Sequence, residues 1–156
     1  MGAGCSTLPS APVGAPTGPT PRAVAPIGDG DELVLRALGL LGTPYRFGGT
    51  DPATGLDCSG LVAHVFMAVR GQRLPRRSEE MAALGDPVDA AAIAPGDLVF
   101  FNTLGRPNSH VAIYVGERRF VHAPAHGGVV RTESIDERYW RTRFDGARRL
   151  PTAAVP

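Results

Sequence analysis

The chain reads as a single α+β domain, helices first and an antiparallel sheet after, behind a proline-rich tail. Three observations lead there. Apolar residues recur at helical spacing in two segments of the first half. After Pro95-Gly96-Asp97 the texture changes to short apolar runs rich in Val, Ile and Phe, and tight-turn residues separate those runs. Helices followed by strands, rather than alternating with them, favour segregated layers and an antiparallel sheet. A length of 156 residues fits one domain with one core.

Each element has its own warrant. Residues 1–28 carry Pro9, Pro12, Pro16, Pro19, Pro21 and Pro26 among Gly, Ala, Ser and Thr, too few apolar groups to repay ordering. They are expected to form a disordered tether, about 20 residues of which span roughly 60 Å when extended. The folded domain is expected over 29–151. Asp29 or Asp31 can cap a first helix with an apolar face of Leu33, Val34, Ala37, Leu38, Leu40 and Leu41, ended by Gly42-Thr43-Pro44. A glycine-rich turn segment runs from Tyr45 to Leu56. A second helix is expected from Cys58 to Arg70, closed by Gly71, and a short third one capped by Ser78, with Glu79 and Glu80 favourable in its first turn. Strands are expected at Leu98–Phe101, His110–Val115, Arg119–His122, Val129–Thr132 and Phe144–Leu150, with Gly116-Glu117 as a hairpin turn.

Composition narrows the function. The formal net charge is +1, which disfavours nucleic acid as a partner. All 16 basic residues are arginine, a coding bias rather than chemistry. No apolar run approaches the ~20 residues of a membrane-spanning helix. Two cysteines, Cys5 in the tail and Cys58 in the densest motif, do not make a secreted disulfide framework.

Cys58 is the candidate nucleophile. At about 100° per residue, Val62, Val65 and Val69 fall within about 40° of its line, so the thiol sits at the first turn on the packed face. Unpaired backbone N–H groups and the positive helix end favour thiolate there. A free cysteine is also a common buried hydrophobe. Yet Asp57, Ser59 and Gly60 make this a polar helix start, where a merely structural residue would be Ala or Val.

A thiol nucleophile needs a base, and histidine titrates in the right range. His64 lies about 120° off the Cys58 line and reads as a surface residue. His126, beside Gly127-Gly128, reads as an exposed loop residue. His110 begins one strand and His122 ends the next, so a tight turn brings them side by side, and period-two alternation allows both onto one face. Ala112, on the face of His110, would leave room for the Cys58 helix start. Two polar strand ends with no joint role remain the plain alternative. Cys58, His110, His122 and His126 could supply four metal ligands, but paired spacing such as C-x-x-C or H-E-x-x-H is missing, so neither metal nor other cofactor is expected.

The motifs, taken together, resemble the NlpC-type peptidases, papain-like cysteine hydrolases of bacterial cell walls, and within them the murein endopeptidase lipoproteins. The matching segments are Gly42-Thr-Pro-Tyr-Arg-Phe-Gly-Gly49, Leu56-Asp-Cys-Ser-Gly60, Leu74-Pro-Arg76, Pro95-Gly-Asp-Leu-Val-Phe-Phe101, Ser109-His-Val-Ala-Ile-Tyr-Val-Gly116, Phe120-Val-His-Ala123, and Tyr139-Trp140 with Ala147-Arg-Arg149. They lie in the family's order across roughly residues 32–150. The resemblance implies a papain-like fold, with N-terminal helices on an antiparallel sheet of five or six strands and the nucleophile at a helix N-terminus. It makes Cys58 the nucleophile, His110 the base and His122 the polar residue that orients the base. It makes Tyr45 a hydroxyl donor to the oxyanion beside the Cys58 N–H, and it places Asp57, Ser59 and Ser109 along the substrate groove. Two departures bear on specificity: Arg77-Ser-Glu-Glu-Met81 replaces the family's usual Ser/Thr then Gln, and loops 102–108 and 123–128 flank the histidines.

The implied activity is hydrolysis of peptidoglycan amides without metal or cofactor, at the D-alanyl–diaminopimelate crosslink first and the γ-D-glutamyl–diaminopimelate bond next. The expected partner is a peptidoglycan peptide and the expected state a monomer. A wall-binding module without catalysis, or an acyltransferase on the same scaffold, are the other readings. Ala3-Gly4-Cys5-Ser6 looks like the end of a lipoprotein signal, with Cys5 lipid-bearing and the enzyme on the outer membrane in the periplasm. Met1-Gly2 through Ser6 also fits a myristoylation pattern, and an ordinary start is the plain reading.

Overall fold

A computed structural model describes residues 27–126 and 128–152, with isolated positions 2, 4, 9, 10, 12, 14 and 18 in the tail. The tether and Cys5 expectations concern residues that lie mainly outside that set, Cys5 among them. Helix α1 spans Asp29–Leu38 and α2 Cys58–Arg70. Between them lies a small hairpin, β1 (Thr50–Asp51) with β2 (Gly55–Leu56). Helix α3 (Ser78–Met81) and strand β3 (Asp86–Val88) follow. Then come β4 (Leu98–Phe101), β5 (His110–Gly116), β6 (Arg119–His122) and β7 (Arg131–Ser134), a short helix α4 (Arg138–Arg141), and β8 (Phe144–Arg149). The main sheet is six-stranded and antiparallel, in the order β3-β8-β4-β5-β6-β7.

Both faces of the sheet are covered, which explains why β4 is buried at every position instead of alternating. On one face Leu98, Phe100, Val111, Ile113 and Val121 meet Leu33 and Ala37 of α1 and Leu61, Val62, Val65 and Phe66 of α2. On the other, Val99, Phe101, Ala112, Tyr114 and Phe120 pack under Ile135 and Trp140. Phe66 is fully buried, a contribution of about 1.5–3 kcal/mol for a side chain of that kind.

The helix over 58–70 is closed as expected by Gly71, left-handed behind it (φ 61°). Four details differ from expectation. Neither Asp29 nor Asp31 caps α1. Gly28 does, and Asp29 instead pairs with Arg70. The helix stops at Gly39, and Leu40, Leu41 and Thr43 continue in tighter i→i+3 turns, so the apolar periodicity ran past the true end and leaves Leu41 exposed. Arg77, not Ser78, is the cap residue of α3, because the Ser78 hydroxyl turns to Glu79. The strand expected at Val129 starts two residues later, since Val129 only bridges to Pro44 and the chain must first turn. The β5–β6 turn centres on Glu117 and Arg118, both left-handed (φ 53° and 61°) as a two-residue hairpin turn demands. Arg118 is held there by its N–H to the Tyr114 hydroxyl (3.0 Å) and its ion pair with Asp136.

Candidate active site

The start of α2 is built around Asp57. Its carboxylate accepts the Gly60 N–H (2.7 Å), satisfying one of the donors a helix start leaves unpaired, and also the Gly48 N–H (3.1 Å). Arg76 clamps the same carboxylate through two nitrogens and reaches the Ser59 hydroxyl (2.6 Å). Gly60 is glycine for space: a Cβ there would lie 2.0 Å from the Gly49 carbonyl oxygen. These contacts hold Cys58, half-buried, at the first helical position. The N–H groups of Val111 and Ser59 reach its sulfur. Burial nonetheless pushes the thiol above its ordinary value, and the nearby Asp57 charge adds to that, more than those N–H groups and Arg76 offset. Desolvation thus opposes the pull toward thiolate expected from the helix end.

Tyr45 joins this corner through a bridge to Leu56 and a hydrogen bond from its N–H to the Gly128 carbonyl (2.9 Å). Burial, then the neighbouring Asp57 and Cys58, raise its phenol, so the hydroxyl keeps its proton and can donate.

The histidines stand on the Trp140 face. His110 Nε2 and His122 Nδ1 are 2.9 Å apart, with the rings at 89°. His110 is stacked under Trp140 (5.6 Å, 27°), and His122 meets the indole edge-on at 4.9 Å. Burial, then His122, lowers His110 to about 3. Burial also lowers His122, against the pull of Glu133. Both rings are therefore neutral at pH 7. His122 Nε2 is in turn hydrogen-bonded to Glu133 on β7.

Alternation along β5 corrects one expectation. Val111 and Ile113 face α2, while His110 and Ala112 face Trp140, so Ala112 makes no room for Cys58. The sulfur reaches β5 at the Val111 N–H, one residue past His110, and no hydrogen bond joins Cys58 to the His110 ring. His110 forms one wall of a cleft of about 330 Å³ shared with Leu104, Pro124, Arg131 and Tyr139.

The residues expected along the groove are engaged with the protein itself. Asp57 and Ser59 bind Arg76. The Ser109 hydroxyl accepts the Thr103 and Leu104 N–H groups (3.0 and 3.1 Å) and so shapes the loop beside His110. Among the described residues no three of His, Cys, Asp and Glu gather to hold a metal ion. Glu133, Arg76 and Trp140 have roles that sequence reasoning missed. Arg76 lay in a recognised motif without a partner. Glu133 would have emerged from the alternation that pairs β6 with β7, had that strand been placed in register.

The sequence pattern of the NlpC/P60 family matches residues 42–149, more than half the chain and all of the residues above. The chain belongs to this family. It is 43% identical over 115 residues to the murein DD-endopeptidase MepH of Escherichia coli K12, covering 72% of this chain and 42% of that protein. It is 40% identical over 125 residues to the gamma-DL-glutamyl hydrolase of Bacillus subtilis 168, covering 80% and 30%. The chain thus spans less than half the length of these two relatives. The crystal structure of the NlpC/P60 domain of the peptidoglycan hydrolase SagA superposes with a TM-score of 0.68 at 32% identity, covering 78% of this chain and 98% of that one. The α+β architecture expected from the sequence is the NlpC/P60 architecture.

Proposed function

We propose that this NlpC/P60 chain is a cysteine endopeptidase that hydrolyses amide bonds of peptidoglycan stem peptides or crosslinks in the bacterial cell envelope. The observation that carries the reading is the juxtaposition at the end of the sheet. A half-buried thiol on a helix start lies against the first peptide of β5, which begins with the buried, neutral His110 of a histidine pair.

The chemistry follows from those protonation states. With a protonated thiol and a neutral imidazole at rest, His110 acts as a general base, taking the Sγ proton as sulfur adds to the amide carbon. The carbonyl electron pair moves to oxygen, where the Cys58 N–H, unpaired at the first helical position, and the Tyr45 hydroxyl are the nearby donors. Collapse breaks the C–N bond, and the amine leaves with the proton from His110, forming a thioester on Cys58. A water, giving its proton to His110, then attacks the thioester; the carboxylic acid departs and the thiol recovers its proton. His122 stabilises the imidazolium at each turn.

The D-alanyl–diaminopimelate crosslink is the preferred bond, supported by the relative named as a murein DD-endopeptidase. The γ-D-glutamyl–diaminopimelate bond comes next, supported by the one named as a gamma-DL-glutamyl hydrolase. A lipid anchor through Cys5 on the periplasmic face of the outer membrane, and a monomeric enzyme, complete the proposal. Purified sacculi incubated with the chain should release soluble fragments, and mass spectrometry of the new termini identifies the bond. Cys58→Ala should retain the fold and release nothing. Release by that variant at the native rate would end the reading.

A further inference from the structure

The histidine pair does not end at His122. In register, His122 lies opposite Arg131 and Phe120 opposite Glu133, so Glu133 is the diagonal neighbour of His122 on the same sheet face. His110 stands in the same diagonal relation on the other side, continuing the register Ile113↔Val121. The three side chains form a line across β5, β6 and β7, with His110 Nε2 against His122 Nδ1 and His122 Nε2 against a Glu133 oxygen. Arg131 Nε, 3.3 Å from that oxygen, and the Trp140 indole hold the carboxylate in place. Glu137 also bears on His122.

We propose that Glu133 is a positioning residue that sets the tautomers of both histidines, so that His110 presents a bare Nδ1 to the Cys58 thiol. The inference rests on the proposed cysteine chemistry and deepens it. Its logic is a proton count. An ionised carboxylate only accepts, so His122 Nε2 must carry its proton. A neutral imidazole has one N–H, which leaves His122 Nδ1 as acceptor. His110 Nε2 must then be the donor of the 2.9 Å contact. That leaves His110 Nδ1 with a free lone pair, the state a general base requires. Burial works against the carboxylate, but His122 and Trp140 hold Glu133 down to about 2, so it is ionised at neutral pH. The opposite assignment would set a lone pair against a negative oxygen in a buried site.

Glu133→Gln decides the matter, because the amide can donate to His122 Nε2 and reverse the whole line. Nitrogen-15 NMR of the histidine rings in the full chain, with His64 and His126 assigned by substitution to Asn, reads the tautomers directly. In the native chain both His110 and His122 should show the Nε2–H form. In Glu133→Gln they should shift toward Nδ1–H. Iodoacetamide alkylation of Cys58, followed on its own peptide by mass spectrometry, should slow roughly 10- to 100-fold, as when a partner that orients a functional histidine is lost. Glu133→Asp should restore part of that rate. Native His110 in the Nδ1–H form would overturn the proposal. So would unchanged tautomers and alkylation in Glu133→Gln. These measurements use no peptidoglycan, so sacculi left intact by a chain that shows the expected tautomers would sink the proposed function alone.

Discussion

Lowering the pH from 7 to 5 should destabilise the folded chain by about 2 kcal/mol through His110 alone. Burial and His122 depress this group from its ordinary 6.5 to about 3, and the residue is only 6% exposed. Between those values the unfolded chain binds a proton that the folded chain refuses. The stabilisation from a depressed group is complete above the unfolded value and is lost as the pH falls toward the folded one. At pH 5 the unfolded ring is almost fully protonated, about 1.5 units below its own pKa, and at pH 7 mostly neutral; at about 1.4 kcal/mol per unit the difference is about 2 kcal/mol. Glu133 does not enter this window, because its stabilisation is lost only from its ordinary 4.5 down toward about 2. His122 is also depressed and acts in the same direction as His110. Urea unfolding under reducing conditions, followed by the fluorescence of Trp140, measures the loss at both pH values. For a domain this size, with a slope of roughly 1.3 kcal/mol per molar urea, the His110 share corresponds to about 1.5 M in the midpoint. His110→Gln should show a drop smaller by that amount. Equal drops in the two proteins would refute the reading of His110 as a buried, neutral base.

The other consequences concern the start of α2. Arg76→Ala removes a cation that lowers the Cys58 thiol and unpairs Asp57, which raises it. The pH midpoint of Cys58 alkylation should therefore move upward, and an unchanged midpoint would show that Arg76 is only a surface partner. Gly60→Ala sets a methyl 2.0 Å from a backbone oxygen that cannot swing away. It should cost about 1–3 kcal/mol in urea unfolding, and should slow fragment release by about a hundredfold as Cys58 is displaced.

Sequence patterns with local causes were legible. The α2 helix could be placed end to end because it has a polar start around Cys58, Gly71 stops it and its apolar stripe has a helical period. The sheet strands β4, β5 and β6 were placed from apolar runs and a turn, and the pairing of His110 with His122 was one of the two readings that their positions at two outer strand ends allowed. Errors arose where the deciding partner is remote in sequence. Asp29 turned from cap to ion pair because Arg70 lies against it, and β7 slipped by two residues because Pro44 occupies Val129.

Family membership, the α+β layering and the candidate thiol and histidines were written in the chain itself, since periodicity and motif order are one-dimensional properties. The electrical character of the site was not. Whether Cys58 rests as thiol or thiolate depends on how much water the packed sheet removes. Which carboxylate reaches His122 depends on the register of two strands whose pairing residues stand 11 apart. Burial and register are relations among distant residues, and only the folded chain sets them.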